Sequence, residues 1–488
     1  MIARIKRLTW KVAAVVSFIA TPIAAKERVE HFDREPGWDG RNNRAENPKP
    51  RPIRQDFGYS RTAHAGGQAG EIGGLITAAA EAAYYGKHLE PKTFADSLTA
   101  SGRLVCKGRQ FHVLVGFFNA DTVNEWRTPN TVVIRLLGRG DVFYAYVEYA
   151  TRRWRAGGDS PGGFAAVRDK SGRLRPRGFA TGQVHRWSLR YDPKGNEGGG
   201  SVTVTLDDET AVCNLNPGHK SDGGTFNRFG LLPVLKSADG SGEVWLDDVT
   251  IGGRKEDFTL DPGWEGFHNR REYVSANVRP RFDFGFSPTH CAGGQGSGEL
   301  GGLVFRGDCR YPERLAAYGD RLAPLTLKKP LRASGRVALR RAVSDSTTLL
   351  GFYHSEDSLQ VNPSQASGWP RSFLGLAVEG PSREGFFFYP AYRVNGDGQG
   401  HASGAGRPRL PPDSRARDWS LVYDPVAAEG RGRIVVTLDG ESAAQDLGPG
   451  HKATGARFDR FGLLTTWIDG NGQQVYFDDL TYTCEQED

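Results

Sequence analysis

Two tandem all-β domains, each a two-sheet sandwich or jelly roll, are predicted by three features of this chain. Its 488 residues include 64 glycines and 11% aromatics, with a single methionine and no long Ala/Leu/Glu/Lys periodic stretch to form helices. Short β-branched and aromatic runs alternate with Gly, Asp, Asn and Pro turns. Residues 226–251 return, recognisably, as residues 458–483, and further matches run through both halves. The chain is therefore an internal duplication, and each copy of roughly 230 residues is large enough for its own core.

Taken in order, residues 1–25 read as a secretory signal peptide. Arg4, Lys6 and Arg7 form the basic start, residues 12–20 supply most of the apolar segment, and Ala24-Ala25 offer small residues for cleavage. The apolar run is too short for a membrane span. Two domains follow, at 26–253 and 254–488. Each opens on a Pro- and Gly-rich lead segment: Phe32, Pro36-Gly37-Trp38-Asp39-Gly40 and Asn43-Arg44 in the first, Phe258, Pro262-Gly263-Trp264-Glu265-Gly266 and Asn269-Arg270 in the second. Next come Asp56-Phe57-Gly58 with Gly70-Glu71, answered by Asp283-Phe284-Gly285 with Gly298-Glu299.

The middle of each copy starts at Ala100-Ser101-Gly102 or Ala333-Ser334-Gly335 and continues into the strand around Gly116-Phe117-Phe118 or Gly351-Phe352-Tyr353. Residues 119–183 and 354–416 diverge most. Loops carry function on a shared scaffold, so these segments are where the copies should differ in ligand. Similarity returns at Trp187-Ser188-Leu189 and Trp419-Ser420-Leu421, at the strands 202–207 and 434–439, and at Pro217-Gly218-His219-Lys220 and Pro449-Gly450-His451-Lys452. The last motif, with Asp469-Gly470-Asn471-Gly472 between apolar runs, reads as a β-hairpin that ends on Asp478-Asp479, as its first-copy equivalent ends on Asp247-Asp248. The junction Gly252-Gly253-Arg254 is too short for a flexible linker, so the domains should pack together.

The alternation of W-S-L-x-Y-D-P, x-V-T-L-D and a final V-x-x-D-D strand resembles concanavalin A-like lectin/glucanase and laminin-G-like modules, across both copies. The resemblance implies a carbohydrate-recognising jelly roll, often with a structural calcium where the Asp pairs lie. The laminarinase-type signature Glu-x-Asp-x-Glu is absent, as are HExxH and a P-loop.

Candidate site residues follow from chemistry. Asp247, Asp248, Asp478 and Asp479 are the candidate calcium ligands, since a hard cation takes six to eight oxygens; each pair could equally accept backbone N–H groups. Trp38 and Trp264, beside Asn43-Arg44 and Asn269-Arg270, have the groups that stack on and hydrogen-bond a sugar, or that cover the end of a sandwich core. His219 and His451 could act as loop acid/bases or as turn residues. Glu71 with Asp56, and Glu299 with Asp283, are the carboxylates kept in both copies. Five cysteines, an odd number, leave within-copy disulfides such as Cys106–Cys213 plausible.

The net charge of +6 suits an anionic glycan, while the scattered arginines give no nucleic-acid signature. The expected protein is exported, to the medium, periplasm or cell surface, and binds polysaccharide without chemistry of its own. The alternatives are a polysaccharide hydrolase or lyase, drawing on Glu125, Glu148, Tyr149, Arg152, Glu379, Tyr389, Tyr392 and Arg393 along one concave sheet, or a structural adhesion protein.

Overall fold

A computed structural model describes residues 25–486, apart from 46–48, 124–127, 159–163, 165–166, 169–171, 173, 344, 365–367, 383–384 and 405. The leader expected at residues 1–25 lies outside the described residues except for Ala25. The chain forms two β-sandwiches of antiparallel strands, in accord with the predicted class. The back sheet of the first runs Glu209–Asn214, Ser201–Leu206, Val184–Asp192, Leu98–Lys107, Ser241–Ile251, Glu71–Thr77, Arg51–Ser60, Arg270–Ser275. Its front sheet runs Ala156–Gly158, Val142–Ala150, Thr131–Arg139, His112–Phe118, Thr225–Pro233, Tyr84–Thr93, Glu265–Phe267. The second sandwich repeats this order, with Gly472–Gln486 central in its back sheet and Gln399–His401, Gly385–Arg393, Phe373–Ser382, Ser346–Tyr353, Arg457–Thr465, Ala317–Thr326, Asp39–Arg41 as its front sheet.

Period-two alternation builds each core. In Val184–Asp192 every second residue is buried, placing Trp187, Leu189 and Tyr191 inward, and Trp419, Leu421 and Tyr423 do the same in the second copy. The two tyrosine hydroxyls are satisfied by the carbonyls of Phe94 at 2.8 Å and Leu327 at 2.9 Å. The strands Ser201–Leu206 and Glu209–Asn214 form a true hairpin, as do Arg433–Leu438 and Glu441–Asp446 around Asp439-Gly440, where both residues have positive φ.

The closing motif is not a hairpin. Arg457–Thr465 lies in the front sheet and Gly472–Gln486 in the back sheet, and the first copy divides Thr225–Pro233 from Ser241–Ile251 in the same way. The Asp-Gly-Asn-Gly turn arches over the sandwich edge. Both flanking runs are apolar because they face one core from opposite sides, which a paired hairpin would not allow.

The lead segments cross the midpoint of the duplication. Glu265–Phe267 pairs with Tyr84–Thr93 and Arg270–Ser275 with Arg51–Ser60, so the second copy's lead segment completes the first sandwich. Reciprocally, Asp39–Arg41 pairs with Ala317–Thr326, and Ala25–Glu30 pairs with Gly472–Gln486. Trp264 sits in the first core against Phe258 and Tyr85, with ring centroids 5.6 and 5.8 Å away. Trp38 sits in the second core against Phe32 and Tyr318, at 5.4 and 5.7 Å. Asn43 and Arg44 bind the 283–286 strand of the second copy, and Asn269 and Arg270 bind the Phe57 and Tyr59 carbonyls of the first.

The Asp pairs anchor these straps. The second Asp of each, Asp248 and Asp479, has a left-handed backbone (φ 51° and 48°) within a register shift of its strand. Asp478 accepts the N–H groups of Gly294 at 2.9 Å and Asp479 at 2.8 Å; Asp479 accepts Gln295 N–H at 3.0 Å and meets His31 at 2.7 Å. Gly294 and Gly66 must be glycine: a Cβ would lie 2.3 Å from the Asp478 carboxylate in one and 1.4 Å from Asp247 in the other. All five cysteine side chains are thiols, so the pairing considered for Cys106 and Cys213 is not made; both lie within the first core.

The sandwiches touch through corresponding arches, with Ser237 Oγ 3.4 Å from Asn471 Oδ1. Trp154 of the first copy packs against the second core.

Two predictions follow from this exchange. Trp38→Ala should cost about 3–5 kcal/mol and raise hydrogen exchange in the second sandwich, although residue 38 belongs to the first copy; Trp264→Ala should do the converse. Burial raises the Asp478 carboxyl to about 6, with Asp479 and Glu299 adding to the effect of burial over the opposing N–H bonds. A folded-state value above the unfolded one, near 3.9, means that this group adds stability as pH falls from 7 towards 4, up to about 3 kcal/mol. Denaturant unfolding at pH 7 and 5 should show about half of that gain, and Asp478→Asn should lose most of it. The part due to His31, raised by its bond to Asp479, should remain.

Candidate functional site

The residues singled out from the sequence act chiefly as scaffold. Trp38 and Trp264 are 9% and 8% exposed and present no ring face to a ligand; each covers the end of a core, and their Asn-Arg neighbours are the stitches just described. His219 is fully buried against Tyr149 (3.0 Å), and His451 meets Tyr392 (2.8 Å). Each opens a one-turn helix, and the adjacent lysine ammonium binds loop carbonyls, Lys220 those of Pro193 and Gly198 and Lys452 those of Pro425 and Gly430.

Glu71 and Glu299 are buried acceptors for the backbone N–H groups of His64 and Ala65, and of Cys291 and Ala292, at 2.6–2.8 Å. Asp56 and Asp283 pair with Arg54 and Arg44. The Asp pairs do not fit calcium: their oxygens are held by N–H donors, His31, Arg103 and Lys255, where a hard cation would need further oxygen ligands. Among the described residues no group of three or more His, Cys, Asp or Glu is placed to hold a metal ion.

A different constellation forms on the outer face of the second front sheet. Strand alternation that sends Val378, Phe386 and Phe388 into the core sends Glu379, Phe387 and Tyr389 outward. Pairing of Ala377 with Tyr389 and Glu379 with Phe387 brings the Tyr389 hydroxyl to 2.6 Å from the Glu379 carboxylate. Arg306 donates to the same carboxylate at 3.3 Å and to Thr347 at 2.9 Å. Arg407 lies 3.9 Å from Glu379, with its guanidinium 3.7 Å over the Phe387 ring and 4.8 Å over Tyr389. Trp369 and His401 form the rim, their rings 5.6 Å apart and 6.4 and 5.8 Å from Tyr389. Gln399 and Gln445 complete a cleft of about 490 Å³.

Electrostatics sort these groups by protonation state. Burial, reinforced by Glu379, holds the Tyr389 hydroxyl well above its ordinary range, so it stays a hydrogen-bond donor. Partial burial, opposed by Glu379 but helped by Arg407, lowers His401, which is therefore a neutral imidazole at pH 7. Glu379 is the one carboxylate among the described residues lining the cleft. Arg393, by contrast, is 1% exposed and holds the Trp369 carbonyl at 3.0 Å from beneath, a supporting role.

The first sandwich carries a related but covered set. Tyr146 occupies the register position of Tyr389, with the Arg135 guanidinium 4.0 Å over its ring. Arg135 also bonds Glu148 at 2.6 Å and His112 at 3.0 Å. Here the second copy's Val343, Asp345 and Asn471 close over the face, leaving a cavity of about 210 Å³. Arg152 binds the Asp222 carbonyl at 2.6 Å, and Glu125 lies outside the described residues. Glu379 and Tyr389 were within reach of sequence reasoning as divergent-segment residues. Arg306, Trp369, His401 and Arg407 were missed, and the one signal for three of them was their place in the divergent stretch 354–416.

No family model matches this chain, and no curated protein matches it in sequence. Solved structures align with this chain at low TM-scores. Domains LG4-5 of the mouse laminin alpha1 chain align at 11% identity over 91% of this chain and 96% of that one, with a TM-score of 0.24. The carbohydrate recognition domain of Emp47p aligns at 10% identity over 35% of this chain and 79% of that domain, TM-score 0.24. Endo-β-1,4-glucuronan lyase from the fungus Trichoderma reesei aligns at 11% identity over 49% of this chain and 99% of the lyase, TM-score 0.25.

Proposed function

We propose that this protein binds an acidic polysaccharide in the open cleft of its second sandwich. The observation that carries this reading is Arg306 and Glu379 in the cleft, backed by the buried Tyr389 and by Arg407, under a rim of Trp369 and His401. A sugar needs an aromatic wall for its C–H face and paired donors and acceptors for its hydroxyls, and a uronate or sulfate needs guanidinium groups. Export, expected from the leader, would bring the protein to such polymers. Among the described residues no helix is long and apolar enough to cross a membrane.

A second reading, chain cleavage, is favoured by the neutral His401 beside Tyr389. Hydrolysis calls for two carboxyls, and the described cleft residues supply one. Elimination suits the set better. His401 would take the C5 proton of a uronate whose carboxylate is held by Arg306, a C4=C5 double bond would form, the C4–O bond would break, and the leaving oxygen would take a proton from solvent.

Titration calorimetry with polyglucuronate, polygalacturonate and a neutral glucan tests both. Binding should favour the acidic chains, and Trp369→Ala should weaken it about tenfold or more, as loss of roughly 1–2 kcal/mol of ring contact implies. Equal binding of the neutral glucan would refute the acidic specificity. Products absorbing as unsaturated uronates, lost in His401→Ala, would establish cleavage.

A further inference from the structure

Beside this cleft, the two sandwiches enclose a larger one of about 780 Å³. Six arginines line it, Arg153 and Arg155 from the first copy and Arg407, Arg409, Arg415 and Arg417 from the second, against Asp222, Asp439 and Glu441. Part of this charge is internally matched. Arg155 is paired with the buried Asp222, and Arg417 with Asp413 at 2.7 Å and Asp439 at 3.7 Å. Arg153, Arg409 and Arg415 have no side-chain carboxylate partner among the described residues. Their guanidinium groups therefore face the cleft with positive charge in excess, since Glu441 is the remaining acid of its lining.

Position makes this charge informative. Arg407 lines the inter-sandwich cleft and lies 3.9 Å from Glu379, which lines the Trp369 cleft, so the two clefts adjoin through this ion pair. The aromatic residues in the larger cleft, Trp154 and Phe386, pack into the second core and offer no platform for stacked bases. Charge without stacking suits a polymer that bears its anions on a saturated backbone.

We infer that the inter-sandwich cleft is a second subsite for the same acidic polysaccharide, taking carboxylate or sulfate groups on Arg153, Arg409 and Arg415 while the neighbouring sugars occupy the Trp369 cleft. The inference rests on the proposed function for its ligand class and adds that the binding site is composite, requiring both copies.

The test is the triple variant Arg153→Glu/Arg409→Glu/Arg415→Glu in the full chain, titrated with polyglucuronate, polygalacturonate and heparin and with a disaccharide of whichever polymer binds. These side chains are unpaired, so the melting temperature should hold. Where it does not, the triple Gln variant is read instead. Polymer affinity should fall about tenfold or more with a flatter dependence on salt, while disaccharide affinity stays unchanged. Unchanged polymer affinity in the triple variant, with Trp369→Ala still disabling, would overturn the second subsite and leave the proposed function standing. Loss in the triple variant with none in Trp369→Ala would support the arginine subsite and remove the Trp369 cleft from the reading. Failure to bind any of the three polymers, or preferential capture of polyphosphate, would overturn both.

Discussion

The insertion of one copy's lead segment into the other copy's sandwich is the constraint on which the rest depends. Each sandwich is open at one end, where the front sheet finishes on Tyr84–Thr93 or Ala317–Thr326, and there a tryptophan and a phenylalanine from the far copy finish the core. Rings of this size contribute several kcal/mol each when buried, so neither core is complete without its visitor. Polar bonds then give direction to the apolar fit: Asp39 pairs with Arg460 and Glu265 with Arg228, matching positions in the two halves.

Because the straps pair across the duplication, each half is built partly from the other. Within that shared frame the two copies present unlike faces. In the first, the outer front face is closed by the second copy, and its arginine bonds both the glutamate and the histidine beneath that cover. In the second, the equivalent face stays open and aromatic residues rim it. Duplication here has yielded one exposed face and one buried against its sibling.

The fold class and the duplication were legible because alternation with period two and turn residues are local properties. Trp187-Ser188-Leu189 needs no distant partner to announce an inward tryptophan. The arch at Asp469-Gly470-Asn471-Gly472 was misread as a hairpin because turn chemistry is the same whether the next strand pairs with the last or crosses to the opposite sheet. Trp38 and Trp264 were recognisably equivalent, yet similarity is symmetric and cannot say which core each enters. The cleft was hidden for another reason. Glu379 and Tyr389 meet through strand register, while Arg306 arrives from 73 positions away and Arg407 from an irregular loop. Residues repeated in both copies drew attention, and repetition marks scaffold.

Strand Ala25–Glu30 pairs with Gly472–Gln486, Ala25 opposite Gln486. Synthesis delivers the first of these long before the second, so the earlier strand must wait for its place until the later one emerges. A chain broken off early would keep Phe32 and Trp38 unburied and offer them to any chaperone or protease nearby. Gly472–Gln486 thus acts as a clasp that closes the two-sandwich unit.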